Sequence, residues 1–122
     1  LSPGDAPASR LITQSNQRVQ KENVGMAIVM IMEWQGVDLK GYEEVRRITN
    51  FEGDPPAGGM FHVAALDGDR LRVVDVWESA EAFQAFVQAR LMPATQQAGI
   101  TAQPDVKILP AHNIFTPAYN PK

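Results

Sequence analysis

Arg70-Leu-Arg-Val-Val-Asp-Val-Trp-Glu-Ser-Ala-Glu-Ala-Phe-Gln-Ala-Phe86 decides the fold of this chain. It reads as a strand that runs without a loop into a helix through a Trp-x-Ser junction. Ser79 caps the helix, and Glu81 sits in its first turn, where the positive end of the helix dipole favours a carboxylate. Phe83, Phe86, Val87, Leu91 and Ala94 recur at helical spacing and make its apolar stripe, with Arg90 at the margin. Pro93 must kink or restart this helix, and Gly99 ends it.

Upstream, Met60 to Leu66 and Asp69 to Glu78 are strands around Asp67-Gly68, a strong two-residue hairpin signal. Further back, Met26 to Trp34 is apolar on both alternating faces, so cover is expected on both sides. Gly36 ends that strand. Asp38 then caps a helix through about Phe51, with Leu39, Tyr42, Val45 and Ile48 on its buried stripe. Gly53-Asp-Pro-Pro-Ala-Gly-Gly59 is a loop. Downstream, Val106 to Phe115 is a last strand, and Pro110 within it predicts an edge or bulged position.

The order strand, helix, strand, strand, helix, strand is the ferredoxin-like split β-α-β arrangement, an α+β fold. Both helices cover one face of the sheet. The other face still carries apolar residues, which a lone small domain would expose, so a homodimer packed sheet to sheet is expected. The folded domain spans residues 24–115. Residues 1–23, with Pro3, Gly4, Pro7 and several Ser and Gln, read as a flexible N-terminal extension, and residues 116–122 as a C-terminal tail.

Bulk properties exclude several classes. The chain has 122 residues, one domain's worth, and carries 11 Lys+Arg against 14 Asp+Glu, a net charge of −3. Without a basic stripe, nucleic acid is not an expected partner. No cysteine is present, which removes disulfides, thiolate metal sites and a thiol nucleophile. The lack suits a reducing compartment. No apolar run reaches the ~20 residues of a membrane span, and the opening residues lack the pattern of a secretory leader. A cytoplasmic location away from membranes is therefore expected.

The strand ending Val73-Val-Asp-Val-Trp-Glu-Ser79, followed by Glu81-Ala-Phe83 and Phe86, resembles the dimeric α+β barrel superfamily. Within it the match is to the antibiotic-biosynthesis-monooxygenase type, including uncharacterised members, over about residues 24 to 115. The resemblance implies a fold and a pocket between sheet and helices. It does not imply one reaction, because that superfamily spans cofactor-free oxygenases, haem-degrading enzymes, chlorite dismutases, polyketide cyclases, isomerases and stress proteins. The haem-degrading members share Trp77 but also use an asparagine on the first strand and a histidine on the second long helix. This chain has neither, so haem is disfavoured and no cofactor is expected.

The hairpin supplies a candidate site. With Asp67-Gly68 as the turn, His62 lies opposite Val73, and Asp75 sits two residues along on the same face. Such diagonal neighbours are ~7–8 Å apart at Cα. Trp77, Met60 and Ala64 share that face, and a three-residue loop would break the grouping by flipping its parity. A histidine beside an aspartate holds a defined tautomer and suits general-base work. His62 and Asp75 are the candidate catalytic pair. Trp77, Trp34, Met60, Phe83 and His112 are candidate substrate contacts for a small hydrophobic or aromatic molecule, with Phe61 a further wall.

The base would ionise a phenol or hydroquinone for a cofactor-free oxygenase, or remove a proton next to a carbonyl for a cyclase or isomerase. The competing readings are structural. His62 is then a strand histidine bonded to backbone, Asp75 bonds a helix N-terminus or a basic group across the dimer, Trp77 is fold packing, and His112 is an exposed edge residue. The alternative for the whole chain is a non-catalytic dimeric binding or stress protein, its cavity filled by Met60, Phe83 and Phe86. Two histidines far apart in sequence, without ligand spacing, make a weak metal case, and no metal is expected. An effector-sensing domain of a transcription regulator would need a helix-turn-helix or basic arm that is absent here.

Overall fold

The computed structural model describes residues 26–117. The extension expected over residues 1–23 lies outside them, as do residues 118–122 of the expected tail. The described chain runs β1 (Ile28–Gln35), α1 (Leu39–Thr49), β2 (Gly59–Asp67), β3 (Arg70–Trp77), α2 (Ala80–Phe86), a π-helical turn (Val87–Leu91), α3 (Met92–Gln97) and β4 (Asp105–Pro110). The four strands form one sheet in the order β2-β3-β1-β4, with every neighbouring pair antiparallel. This is the ferredoxin-like α+β architecture.

Alternation sorts β1 and β3 cleanly. Ile28, Met30, Met32 and Trp34 of β1 and Leu71, Val73 and Trp77 of β3 are buried, and they pack with Ala80, Phe83 and Val87 in one core. The cover expected on both sides of β1 is present on one. Val29 and Ile31, on its other side, are only half-buried, because a single chain supplies no second layer.

α1 and α2 start where their caps predict. Asp38 Oδ1 accepts from the Gly41 N–H at 2.9 Å, and Ser79 Oγ accepts from the Ala82 N–H at 3.0 Å. α1 stops at Thr49, short of the expected Phe51, because Asn50 turns left-handed (φ 51°) and returns its N–H to the Arg46 carbonyl. Leu39, expected in the stripe, is 59% exposed; Val37, just before the cap, is buried instead. Pro93 acts one turn earlier than its own position. The helix widens over Val87–Leu91, and the Met92 N–H reaches back five residues to the Val87 carbonyl. That widening eases the clash a proline ring makes with the carbonyl four residues before it.

The hairpin differs from expectation in register. Asp67 pairs with Arg70, so the loop residues are Gly68-Asp69 rather than Asp67-Gly68. Gly68 takes φ +66°. A glycine in the first central position is the type II′ requirement, and its backbone twist suits a hairpin. The pairing moves by two residues, so side-chain parity survives. His62 therefore faces Asp75 directly, not diagonally.

β4 is an edge strand, as Pro110 implied, but it ends at Pro110 instead of Phe115. One further backbone bond follows, from the Ala111 N–H to the Ala27 carbonyl, and His112 lies exposed beyond it.

Candidate active site

Four side chains from three elements form one hydrogen-bonded line. β2 brings His62, β3 brings Asp75 and Trp77, and α1 brings Tyr42. His62 Nδ1 lies 2.7 Å from Asp75 Oδ1, and Trp77 Nε1–H donates to Asp75 Oδ2 at 3.0 Å. On the far side of the imidazole, Nε2 lies 2.8 Å from the Tyr42 hydroxyl.

The chemistry of the donors sets the direction of the line. An indole can only donate, so Asp75 Oδ2 must accept. With Asp75 ionised, Nδ1–H donates to Oδ1, and the neutral ring presents a lone pair at Nε2 to the Tyr42 O–H. Asp75 is 6% exposed, so its carboxylate depends on these two donors rather than on water. The Tyr42 and His62 rings are nearly parallel (4° between planes, centroids 6.1 Å apart), and Phe51 tilts against the imidazole at 4.9 Å.

The line opens on a cavity of about 360 Å³ between sheet and helices. That lies near the small end of the roughly 300–1,000 Å³ typical of small-molecule sites, room for a few fused rings. Met30, Met32, Leu71 and Val73 form its sheet wall, and Phe83, Phe86 and Leu91 its helical wall. Phe51, Pro55 and Pro56 of the loop after α1 close one side. Trp77 stands edge-on to Phe83 at 5.6 Å, so the residue that orients Asp75 is itself locked by packing.

Of the residues singled out in the sequence, His62, Asp75, Trp77, Trp34, Met60 and Phe83 all line this cavity. Trp34 is anchored by donating its Nε1–H to the Ala102 carbonyl at 2.7 Å. Met60 is the extra residue of a bulge between Gly59 and Phe61 and is 41% exposed. His112 is not among the lining residues and follows the end of β4. Phe83 and Phe86 line the cavity.

Tyr42, Phe51 and Glu52 were not singled out, yet all three line the cavity. Tyr42 is legible in the sequence only as part of the buried stripe of α1; its hydroxyl is the one polar tip on that stripe. Burial pushes its phenol above the ordinary value, with the nearby Arg46 charge opposing and Glu52, Glu43 and Asp75 adding to the rise. Arg46 in turn bonds both Glu43 and Glu52, and its hydrogen bond holds the Glu52 carboxyl below its ordinary range.

The loop after α1 is also tied to the second helix. Arg90 Nη2 donates to the Thr49 carbonyl at 2.5 Å and to the Asp54 carbonyl at 2.8 Å, and its guanidinium lies 5.6 Å from the Phe86 ring centre. Among the described residues, no three His, Cys, Asp or Glu side chains converge in a way that would hold a metal ion.

No protein-family model matches the chain, and no curated protein is a significant match in sequence. Solved structures do match. SnoaB from Streptomyces nogalater, described as a cofactor-independent oxygenase, is 15% identical with a TM-score of 0.58, over 73% of this chain and 96% of its own. The NE2512 protein of unknown function from Nitrosomonas europaea is 13% identical with a TM-score of 0.59, over 78% of this chain and 98% of its own. A monooxygenase from the gene ActVA-Orf6 of Streptomyces coelicolor, solved with the ligand nanaomycin D, is 14% identical with a TM-score of 0.50, over 80% and 97%. At these identities what is shared is the fold, and it is the antibiotic-biosynthesis-monooxygenase-like fold that the Trp77-x-Ser79 stretch resembles.

Proposed function

We propose, from a fold held in common with cofactor-independent oxygenases, that this chain is a small-molecule enzyme whose general base is His62. The carrying observation is the imidazole fixed between Asp75 and Tyr42 at the edge of a largely apolar cavity. The substrate is a small, flat, hydrophobic molecule with an acidic O–H or C–H, of the aromatic or polyketide-like class. Phe83, Phe86 and Trp77 line the cavity that would hold it, and the cavity volume limits it to a few rings.

Proton transfer to His62 Nε2 leaves an electron-rich substrate anion and an imidazolium paired with Asp75. In the oxygenase form of the reaction the anion passes one electron to O2, and the two radicals combine at carbon. For an anthrone-type CH2, one oxygen atom stays as the new carbonyl, and the other leaves with both hydrogens as water. The substrate supplies the electrons, so no cofactor is needed. If the same base acts without oxygen, the product is that of a cyclase or isomerase.

A homodimer is part of the proposal. Val29, Ile31, Val63, Val74, Val76 and Leu109 adjoin one another on the sheet face away from the helices, with Val63, Val74 and Leu109 each more than a third exposed. An apolar surface of that kind favours a second sheet against it.

The test is oxygen uptake with 1,8-dihydroxyanthrone. Replacing His62 with alanine should lower turnover by roughly 10²–10⁴-fold, the usual worth of general-base catalysis. Turnover unchanged in that variant eliminates His62 as the base, and product formed without oxygen uptake selects the cyclase or isomerase chemistry.

A further inference from the structure

The lone pair that would take the substrate's proton is already occupied. His62 Nε2 faces the Tyr42 hydroxyl at 2.8 Å, Nδ1 is committed to Asp75, and Phe51 lies against the ring. Tyr42 and His62 both line the cavity, and it is the Tyr42 hydroxyl that the Nε2 lone pair faces. We propose that Tyr42 is a catalytic residue: its hydroxyl receives the substrate's proton while passing its own to His62 Nε2. The inference rests on His62 as the base and names the atom through which that base acts.

The transfer balances without any change of oxidation state. The acidic O–H or C–H bond of the substrate breaks, and its proton bonds to Tyr42 Oη. The original Tyr42 proton moves to His62 Nε2, and the electron pair of the broken bond stays on the substrate. The products are a substrate anion and an imidazolium, whose charge is met by the Asp75 carboxylate 2.7 Å away. Tyr42 ends as it began, a neutral phenol.

Its surroundings favour that outcome. Burial raises the phenol, and the Glu43, Glu52 and Asp75 carboxylates oppose a tyrosinate, with only Arg46 in favour of one. A tyrosinate resting between substrate and histidine is thus disfavoured, and the two protons move together. The geometry suits this as well. α1 is capped at Asp38 and closed at Asn50, and Arg46 ties its last turns to Glu52, so the Tyr42 ring is carried on a fixed element. The hydroxyl is also chemically matched to a phenolic substrate, since a proton passes most readily between groups of similar acidity.

The alternative is that Tyr42 is a gate which swings away and lets substrate reach Nε2. The two differ in one variant. The probe is alizarin, a flat dihydroxyanthraquinone whose phenolate absorbs to the red of its phenol, alongside 1,8-dihydroxyanthrone turnover. The full chain is used in its wild-type form and as Tyr42→Phe, His62→Gln and a form carrying 3-fluorotyrosine at position 42.

If Tyr42 conducts the proton, Tyr42→Phe should lose the bound phenolate band and lower turnover by roughly 10²–10⁴-fold, as His62→Gln does. The 3-fluorotyrosine form should then retain turnover with a pH profile displaced to lower pH, a change that packing alone would not produce. Phenolate band and turnover retained or raised in Tyr42→Phe, but lost in His62→Gln, overturns the conducting role and leaves His62 as the base. Both lost in Tyr42→Phe with the fluorotyrosine profile unmoved also overturns it, in favour of a packing role. No phenolate band in the wild type, or none lost in His62→Gln, overturns the underlying reading of His62 and this inference with it.

Discussion

Asp75→Asn separates the two duties of the buried carboxylate, orienting the base and holding the strand pair together. Asp75 Oδ2 accepts from Trp77 Nε1–H, and Oδ1 faces His62 Nδ1. The indole has no other role than donor, so the single amide oxygen of asparagine goes to Trp77. The amide NH2 then points at Nδ1. To accept from it the imidazole must move its proton to Nε2, and the Tyr42 hydroxyl turns to accept from Nε2–H. Every group remains bonded, but the line runs backwards and the base arrives already protonated.

The cost in stability is modest. Two charge-assisted bonds become neutral ones, a loss of about 1 kcal/mol each, partly offset because a buried charge is no longer desolvated. A net loss of ~1–2 kcal/mol in a domain of this size lowers the melting temperature by roughly 5–15 °C. The loss of general-base work, roughly 10²–10⁴-fold, is about 3–5 kcal/mol of barrier. Activity should therefore vanish in a protein that is still folded at 25 °C. The assay is 15N NMR of the histidine ring, read beside oxygen uptake with 1,8-dihydroxyanthrone. The wild type should show Nδ1 protonated, and Asp75→Asn should show Nε2 protonated. A variant that keeps Nδ1 protonated, or that turns over substrate normally, refutes the reasoning.

Arg90→Met removes the donor to the Thr49 and Asp54 carbonyls, at a cost of ~1–2 kcal/mol. It should speed amide exchange over residues 51–58 while the strands stay protected; uniform exchange would show that Arg90 does not hold this loop. Tyr42 has a phenol raised by burial, so its contribution to stability is present below the unfolded phenol's pKa of about 10 and is lost as pH rises through the higher folded value. Urea midpoints should fall more steeply above about pH 10 in the wild type than in Tyr42→Phe, and parallel curves would contradict the burial argument. Val74→Glu puts a charge in the middle of the uncovered sheet face, next to Ile31 and Val63. Sedimentation at micromolar concentration should give a dimer for the wild type and a monomer for the variant; a monomeric wild type ends the dimer proposal.

What the sequence determined by itself is whatever follows from short-range periodicity. Alternation along Arg70–Trp77 put Val73, Asp75 and Trp77 on one face, and a two-residue turn kept His62 on that face too. Asp38 and Ser79 marked both long-helix starts, since a cap is a contact three residues long. Even the misplaced turn left the grouping intact, because moving Asp67-Gly68 to Gly68-Asp69 shifts pairing by two and parity is unchanged. Other features needed the tertiary structure. The glycine's positive φ chose the direct His62–Asp75 pairing over the diagonal one, and the clash of the Pro93 ring with the preceding turn opened a π-turn in the residues before it. The docking of α1 on the sheet brought the Tyr42 hydroxyl to His62 Nε2 from twenty residues away. That last contact depends on the position and angle of one element against another, which core packing sets and no local spacing encodes.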